Sequence, residues 1–122
     1  MRKFEWQSNF PSHCPGMNAQ QNFVDGALRL VKDSNLQEDY FYPYYNYNPD
    51  PMNKCQCWAI TFLNDIRDAE YIRAAVPGYR NYKIAKGDLE YSFGELIIDG
   101  VNIFLWRYEN VVIHPNFRVI KI

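Results

Sequence analysis

The sequence is poor in the features that identify membrane proteins and polyanion-binding proteins. No part of the 122-residue chain contains the roughly 20 consecutive apolar residues that a membrane-spanning helix requires. The 13 basic and 14 acidic residues almost cancel, to a net charge of −1. Without a long apolar run, we expect no membrane partner. Because no excess positive charge is present to attract phosphate groups, we disfavour double-stranded nucleic acid as a partner.

Sequence signals for cofactors and for secretion are also missing. There is no Gly-rich phosphate-binding loop and no dinucleotide fingerprint, so we expect no cofactor. The basic residues at the N-terminus are not followed by an apolar run, which argues against a secretory signal. The cysteine count is three, an odd number that a disulfide framework would not use completely. We therefore expect a cytoplasmic protein with reduced thiols.

The composition that remains is that of one globular domain, residues 1–122. The chain is 48% hydrophobic and 22% charged, which is ordinary for a folded protein of this size. Residues 19–32 carry apolar side chains at spacings of three and four, and residues 56–76 repeat that pattern, so both predict helices. The front of the second segment could instead be a strand, with Asn64 capping a shorter helix.

The amino-acid composition changes after Gly78, where the chain consists of short segments rich in β-branched and aromatic residues. Asp99-Gly100 separates two of them and is suited to a two-residue hairpin turn, because both positions accept a positive φ at low cost. The expected fold is α+β, with two helices packed on an antiparallel meander sheet of about four or five strands.

Aromatic residues are the main compositional excess, at 17% of the chain. Residues 39–51, DYFYPYYNYNPDP, hold five of the ten tyrosines together with three prolines. We call residues 39–51 the tyrosine-rich segment. Proline stiffens an extended backbone, and tyrosine supplies a large contact area with few rotatable bonds, as in many binding sites. The residues predicted to contact a partner are Tyr42, Tyr44, Tyr45 and Tyr47, with Trp106 and Tyr108 beside them.

Residues 55–59, CQCWA, resemble the nucleophile segment of papain-like cysteine peptidases, in which a Cys followed by Trp-Ala opens a helix. The positive end of a helix lowers the pKa of a thiol. Carried over, the resemblance implies Cys57 as the nucleophile and His114 as the base, with Asn116 as the residue that orients it. The alternative interpretation is that Trp58 and His114 have only structural roles.

A metal site is the third possibility. His13 and Cys14 are adjacent, and Cys55 and Cys57 lie before the second predicted helix, so the four residues form a possible Cys3His zinc site. Their spacing differs from the usual pairs separated by two to four residues, and buried structural cysteines are the alternative.

These observations favour a non-enzymatic protein-interaction module. We expect a small inhibitor or accessory protein, of the phage or mobile-element type, that binds a protein partner through the tyrosine-rich segment. The second hypothesis is a small papain-like thiol hydrolase.

Overall fold

Six antiparallel strands and one α-helix make up the regular structure of the described part of the chain. The computed structural model describes residues 3–43 and 55–121. The elements are β1 (Val24–Val31), β2 (Ile60–Leu63), α1 (Ile66–Ala75), β3 (Lys83–Leu89), β4 (Gly94–Asp99), β5 (Asn102–Arg107) and β6 (Phe117–Ile120). The prediction of two helices on a sheet of four or five strands is therefore wrong, because most of the regular structure is sheet.

The strand order is β4-β5-β2-β1-β3-β6, so the sheet is not a meander. Strands β4 and β5 form the hairpin that Asp99-Gly100 predicts, with Asp99 opposite Asn102 and Gly100 at a φ of 60°. Strand β1 instead lies between β2 and β3, and β2 lies between β1 and β5. Long-range pairings of this kind have no local sequence signal.

Residues 24–31 form a strand because both of its faces are covered. Ala27 and Val31 belong to the main core on one face, while Leu28 on the other face packs with α1. A strand that is buried on both sides carries apolar residues at odd and even positions, which imitates helical spacing. Gly26, at a φ of 76°, lies where the register between β1 and β3 shifts. The glycine therefore belongs to a β-bulge and not to the interior of a helix, as the sequence had predicted.

The second predicted helix is shorter than expected. Residues Cys55–Trp58 form a 3-10 turn, strand β2 follows, and α1 begins only at Ile66. The N-cap of α1 is Asp65, whose side chain accepts a hydrogen bond from the backbone N–H of Arg67 at 2.9 Å. The side chain of Asn64 has a different role and donates to the carbonyl oxygen of Gly100 at 2.9 Å.

The sheet is strongly curved around its main core. Strands β2 and β6 are separated by β1 and β3, which in a flat sheet would place them roughly 14 Å apart. The rings of Phe62 on β2 and Phe117 on β6 nevertheless lie 5.5 Å apart, centre to centre. Phe41, from the tyrosine-rich segment, is fully buried against both rings, at 6.4 Å and 5.0 Å. The start of this segment is therefore part of the core.

The opposite face of the sheet is covered by two elements. Helix α1 packs against Leu28, Leu63 and Ile84, and the N-terminal residues pack against Trp58 and Trp106. In the described ranges, no helix has both the length and the apolar character needed to cross a bilayer.

Candidate functional site

Arg29 fixes the first part of the tyrosine-rich segment to the sheet. It lies in the middle of β1, on the same face as Ala85 of β3. Its Nε donates to the carbonyl oxygen of Tyr40 at 2.7 Å, and its Nη2 donates to that of Tyr42 at 2.9 Å. A third bond, from Nη1 to the carbonyl oxygen of Thr61 at 2.6 Å, ties the same guanidinium to β2. The planar fork of arginine suits such a set of fixed acceptors.

Arg107, the last residue of β5, is a second contact of the tyrosine-rich segment, because its guanidinium packs against the ring of Tyr42. The guanidinium is only 4% exposed, and its carbon lies 4.9 Å from the ring centre of Trp6 and 5.7 Å from that of Tyr42. Glu38 pairs with it at 3.3 Å and Glu5 at 3.9 Å. The carboxylates and the aromatic rings offset the cost of removing this guanidinium from water, although its Nε has no hydrogen-bond partner among the described residues.

Cys55 is the anchor at the far end of the tyrosine-rich segment. Its sulfur is bonded to that of Cys14, with the two Cα atoms 5.4 Å apart. Its carbonyl oxygen accepts a hydrogen bond from the indole N–H of Trp106 at 3.0 Å. The expectation of three reduced thiols is therefore wrong for Cys14 and Cys55, and only Cys57 is a free cysteine. The argument for a cytoplasmic location that rested on reduced thiols no longer applies.

The residues predicted to contact a partner have different positions in the fold. Trp106 and Tyr108 are 2% and 6% exposed, so they belong to the interior and offer a partner almost no surface. Tyr42 is half-buried between Arg107 and Trp6. Tyr44, Tyr45 and Tyr47 lie outside the described residues. The expectation that Trp106 and Tyr108 extend an outward-facing patch is corrected by their burial.

The proposed nucleophile and base are not brought together. Cys57 lies in the turn before β2, and His114 lies in the 3-10 turn His114–Asn116 before β6. Strand β6 runs antiparallel to β2, because each of the pairings β2–β1, β1–β3 and β3–β6 is antiparallel. The residues that precede these two strands therefore lie at opposite ends of the sheet. A base must be within hydrogen-bond reach of the thiol, directly or through one water.

The local environment of each residue also differs from the papain-like arrangement. Cys57 lies in the 3-10 turn Cys55–Trp58 and is followed by strand β2, not by the helix that the resemblance implies. The amide of Asn116 donates to the carbonyl oxygen of Asp88 at 3.2 Å. The Nδ1 atom of His114 is buried and has no hydrogen-bond partner among the described residues.

The four residues of the possible zinc site are arranged differently from a closed site. Two of the three sulfur ligands are joined in the Cys14–Cys55 disulfide, and a disulfide sulfur is not a thiolate ligand. His13 is exposed. Across residues 3–43 and 55–121, no group of three or more His, Cys, Asp or Glu side chains is placed to hold a metal ion. Zinc binding by these four residues would require the reduced protein.

A cavity of about 310 Å³ borders β1, and Arg29, Tyr40 and Thr61 are among the residues that line it. The rest of its lining combines apolar residues such as Leu28, Leu63 and Ile72 with Tyr79 and Tyr82. Neither Cys57 nor His114 lines it. The cavity therefore does not add a substrate pocket to the candidate thiol chemistry.

Sequence reasoning missed Arg29 and Arg107, which do most to position the tyrosine-rich segment. Both stand within apolar runs, in LRLV and FLWRY. An arginine surrounded by strand-forming apolar residues is a signal for a cation with internal partners, since an isolated buried charge is very costly.

Comparisons of the chain with protein-family profiles, with curated proteins and with solved structures gave no match.

Proposed function

We propose that this chain is a non-enzymatic protein-interaction module that presents its tyrosine-rich segment to a protein partner. The observation that carries the proposal is that both flanks of residues 44–54 are anchored. On one side Arg29 binds the carbonyl oxygens of Tyr40 and Tyr42. On the other side Cys55 is held by its disulfide and by Trp106.

Anchored flanks favour binding because they restrict the segment before the partner binds. Less conformational entropy is then lost when the complex forms. The intervening residues combine Tyr44, Tyr45 and Tyr47 with Asn and Pro. Tyrosine in such a setting supplies apolar contact and a hydrogen-bonding hydroxyl at low cost in side-chain entropy.

The test replaces Tyr44, Tyr45 and Tyr47 together by Ser in the full chain. Tyr42 is left intact, because its ring packs against Arg107. Immobilised wild-type and variant proteins are compared for the proteins that they capture from lysate of the native host. The matched control is Tyr71→Ser with Tyr91→Ser, two tyrosines that are 73% and 58% exposed elsewhere on the surface.

We expect the triple variant to lose a specific partner that the control variant keeps. Both variants should retain the wild-type free energy of unfolding to within about 1 kcal/mol, as surface substitutions usually do. Equal capture by the triple variant and the wild type would contradict the proposal. A loss of several kcal/mol in the triple variant would contradict it as well, because these tyrosines would then be core residues.

A further inference from the structure

Strand β6 (Phe117–Ile120) is an edge of the sheet, and exposed cationic side chains lie on it and next to it. It pairs with β3 on one side, and on its other side its backbone forms no hydrogen bond with any described residue. At the opposite edge, β4 is capped by Gln20, which exchanges two backbone hydrogen bonds with Leu96 at 2.9 and 3.2 Å. Gln20 bridges β4 only at Leu96, whereas β6 has no such backbone bridge to a described residue, and an edge of this kind can accept another strand.

Two cations face each other across β3 and β6. Arg118 on β6 lies directly opposite Lys86 on β3, and both side chains are exposed. Like charges at directly opposed positions destabilise an antiparallel pair. Neither side chain has a carboxylate within 4.0 Å in the described part of the chain. The nearest acidic residue along β3, Asp88, accepts instead from the backbone N–H of Gly26 at 3.0 Å.

A second pair of cations follows one step beyond this register. Ile84 and Ile120 are the last paired residues of β3 and β6. The next residue on each side is a lysine, namely Lys83 at the start of β3 and Lys121 directly after β6. Both are exposed and form no ion pair with a described residue. Arg118 lies within β6, and Lys121 is the first residue after the strand ends at Ile120. In an extended backbone, residues three positions apart lie on opposite faces. The edge has positive charge on both faces, although the whole chain has a net charge of −1.

Repulsive charge on an edge strand can also serve to prevent unwanted pairing. That role requires charge on the edge strand itself. It does not require Lys86, which lies on β3, the strand next to β6. Lys86 repels Arg118, and an anion bound beside β6 would reduce that repulsion.

We propose that β6 is a docking edge for an extended acidic segment of a partner protein, which adds as a seventh strand. The backbone of the segment would pair with β6, and its carboxylates would approach Arg118 on one face and Lys121 on the other. Since these two residues are three apart, the partner needs acidic residues at a spacing of three. This surface is separate from the tyrosine-rich segment and does not depend on the function proposed for it.

The test uses two synthetic peptides of equal composition and charge with the full-length protein. In acetyl-TDVTEVT-amide the acids are three positions apart, and in acetyl-TDVETVT-amide they are two apart and therefore share one face of a strand. Binding is measured by calorimetry, and amide exchange is followed by NMR for residues 117–121. We expect the first peptide to bind at least about fivefold more tightly, a ratio that corresponds to one well-placed charge contact. Its binding should slow amide exchange in β6 and weaken as salt is raised.

The decisive variant is Arg118→Glu with Lys121→Glu. It should lose the acidic peptide and bind acetyl-TKVTKVT-amide in its place. The matched control, Lys3→Glu with Arg67→Glu, makes the same charge change at two exposed positions away from β3 and β6 and should keep the wild-type preference.

Three results would overturn the proposal. The two acidic peptides could bind equally, which would indicate unspecific attraction. Binding could persist in the Arg118→Glu, Lys121→Glu variant. Sedimentation could instead show that the protein alone forms a dimer which the same variant dissociates, so that the occupant of the edge would be a second copy of this chain.

Discussion

The guanidinium of Arg29 donates a hydrogen bond to the carbonyl oxygen of Tyr42, thirteen positions further along the chain, at 2.9 Å. Together with the bonds to Tyr40 and Thr61, it links β1, β2 and the start of the tyrosine-rich segment through a single side chain. The rings of Phe41 and Phe62 lie 6.0 and 5.8 Å from the same guanidinium. The opening of the tyrosine-rich segment is thus held by polar bonds and by core packing at the same point.

Replacing Arg29 by Lys tests this link. An ammonium group cannot reach three fixed carbonyl oxygens with the geometry of a guanidinium, so at least one partly buried acceptor should lose its partner. We expect a loss of about 2 kcal/mol in the free energy of unfolding, measured by urea denaturation. The control is Arg80→Lys, at an exposed position, with an expected change within about 0.5 kcal/mol. Equal stabilities of the two variants would show that the three bonds contribute little.

A substitution at Gly94 tests how closely the backbones of β4 and β5 approach each other. A Cβ atom at this position would overlap the carbonyl oxygen of Trp106, which belongs to the backbone of the neighbouring strand and cannot turn aside. We expect Gly94→Ala to lower the free energy of unfolding by about 1–3 kcal/mol, as other overpacked sites do. In Gly16→Ala the added methyl group meets no atom within 4 Å, and stability should change by less than about 0.5 kcal/mol. If Gly94→Ala were as stable as Gly16→Ala, the strands would not be packed this closely.

How far the sequence predicts this fold depends on the range of the interactions involved. The Asp99-Gly100 hairpin was predictable because its signal lies within the turn itself. The identity of β1 was not, because its helix-like spacing arises from burial between the main core and α1, a tertiary feature.

The same reasoning applies to the candidate site. The composition of the tyrosine-rich segment was evident from the sequence, whereas its anchors were not. Arg107 compensates its charge with Glu38, which is 69 positions away, and such a pairing follows only from the completed topology. Trp106 was predicted to contact a partner beside the tyrosine-rich segment. In the fold, its indole N–H donates a hydrogen bond to the carbonyl oxygen of Cys55.

The Asp65–Arg67 ion pair at the N-terminus of α1 leads to a prediction about how stability depends on pH. Arg67 holds the pKa of Asp65 below its usual range, chiefly through its side-chain hydrogen bonds and then through its backbone N–H. A carboxylate whose pKa is lower in the folded state than in the unfolded chain stabilises the fold above about pH 4, and this contribution is lost as the pH falls through the lowered pKa. We expect NMR titration of Asp65 to give a pKa below that of the unfolded chain. In Arg67→Gln the pKa of Asp65 should rise, and an unchanged value would contradict the assigned cause.

The Cys14–Cys55 disulfide can be tested by counting thiols and by measuring stability. The native, unreduced protein should release one equivalent of reporter from a thiol reagent under denaturing conditions, from Cys57, and three after reduction. The crosslink joins residues 41 positions apart, and its removal should cost about 4 kcal/mol in the free energy of unfolding if it acts mainly on the entropy of the unfolded chain.

Cys14→Ser with Cys55→Ser, measured without reductant, should therefore resemble the reduced wild type, while Cys57→Ser should remain close to the oxidised wild type. Three thiols in the unreduced protein would contradict the disulfide and would restore the Cys3His zinc hypothesis. In that case Cys55 would also lose its covalent link to Cys14, and only the Trp106 hydrogen bond would hold the far flank of the tyrosine-rich segment. The thiol count thus tests the anchor on which the proposed function depends.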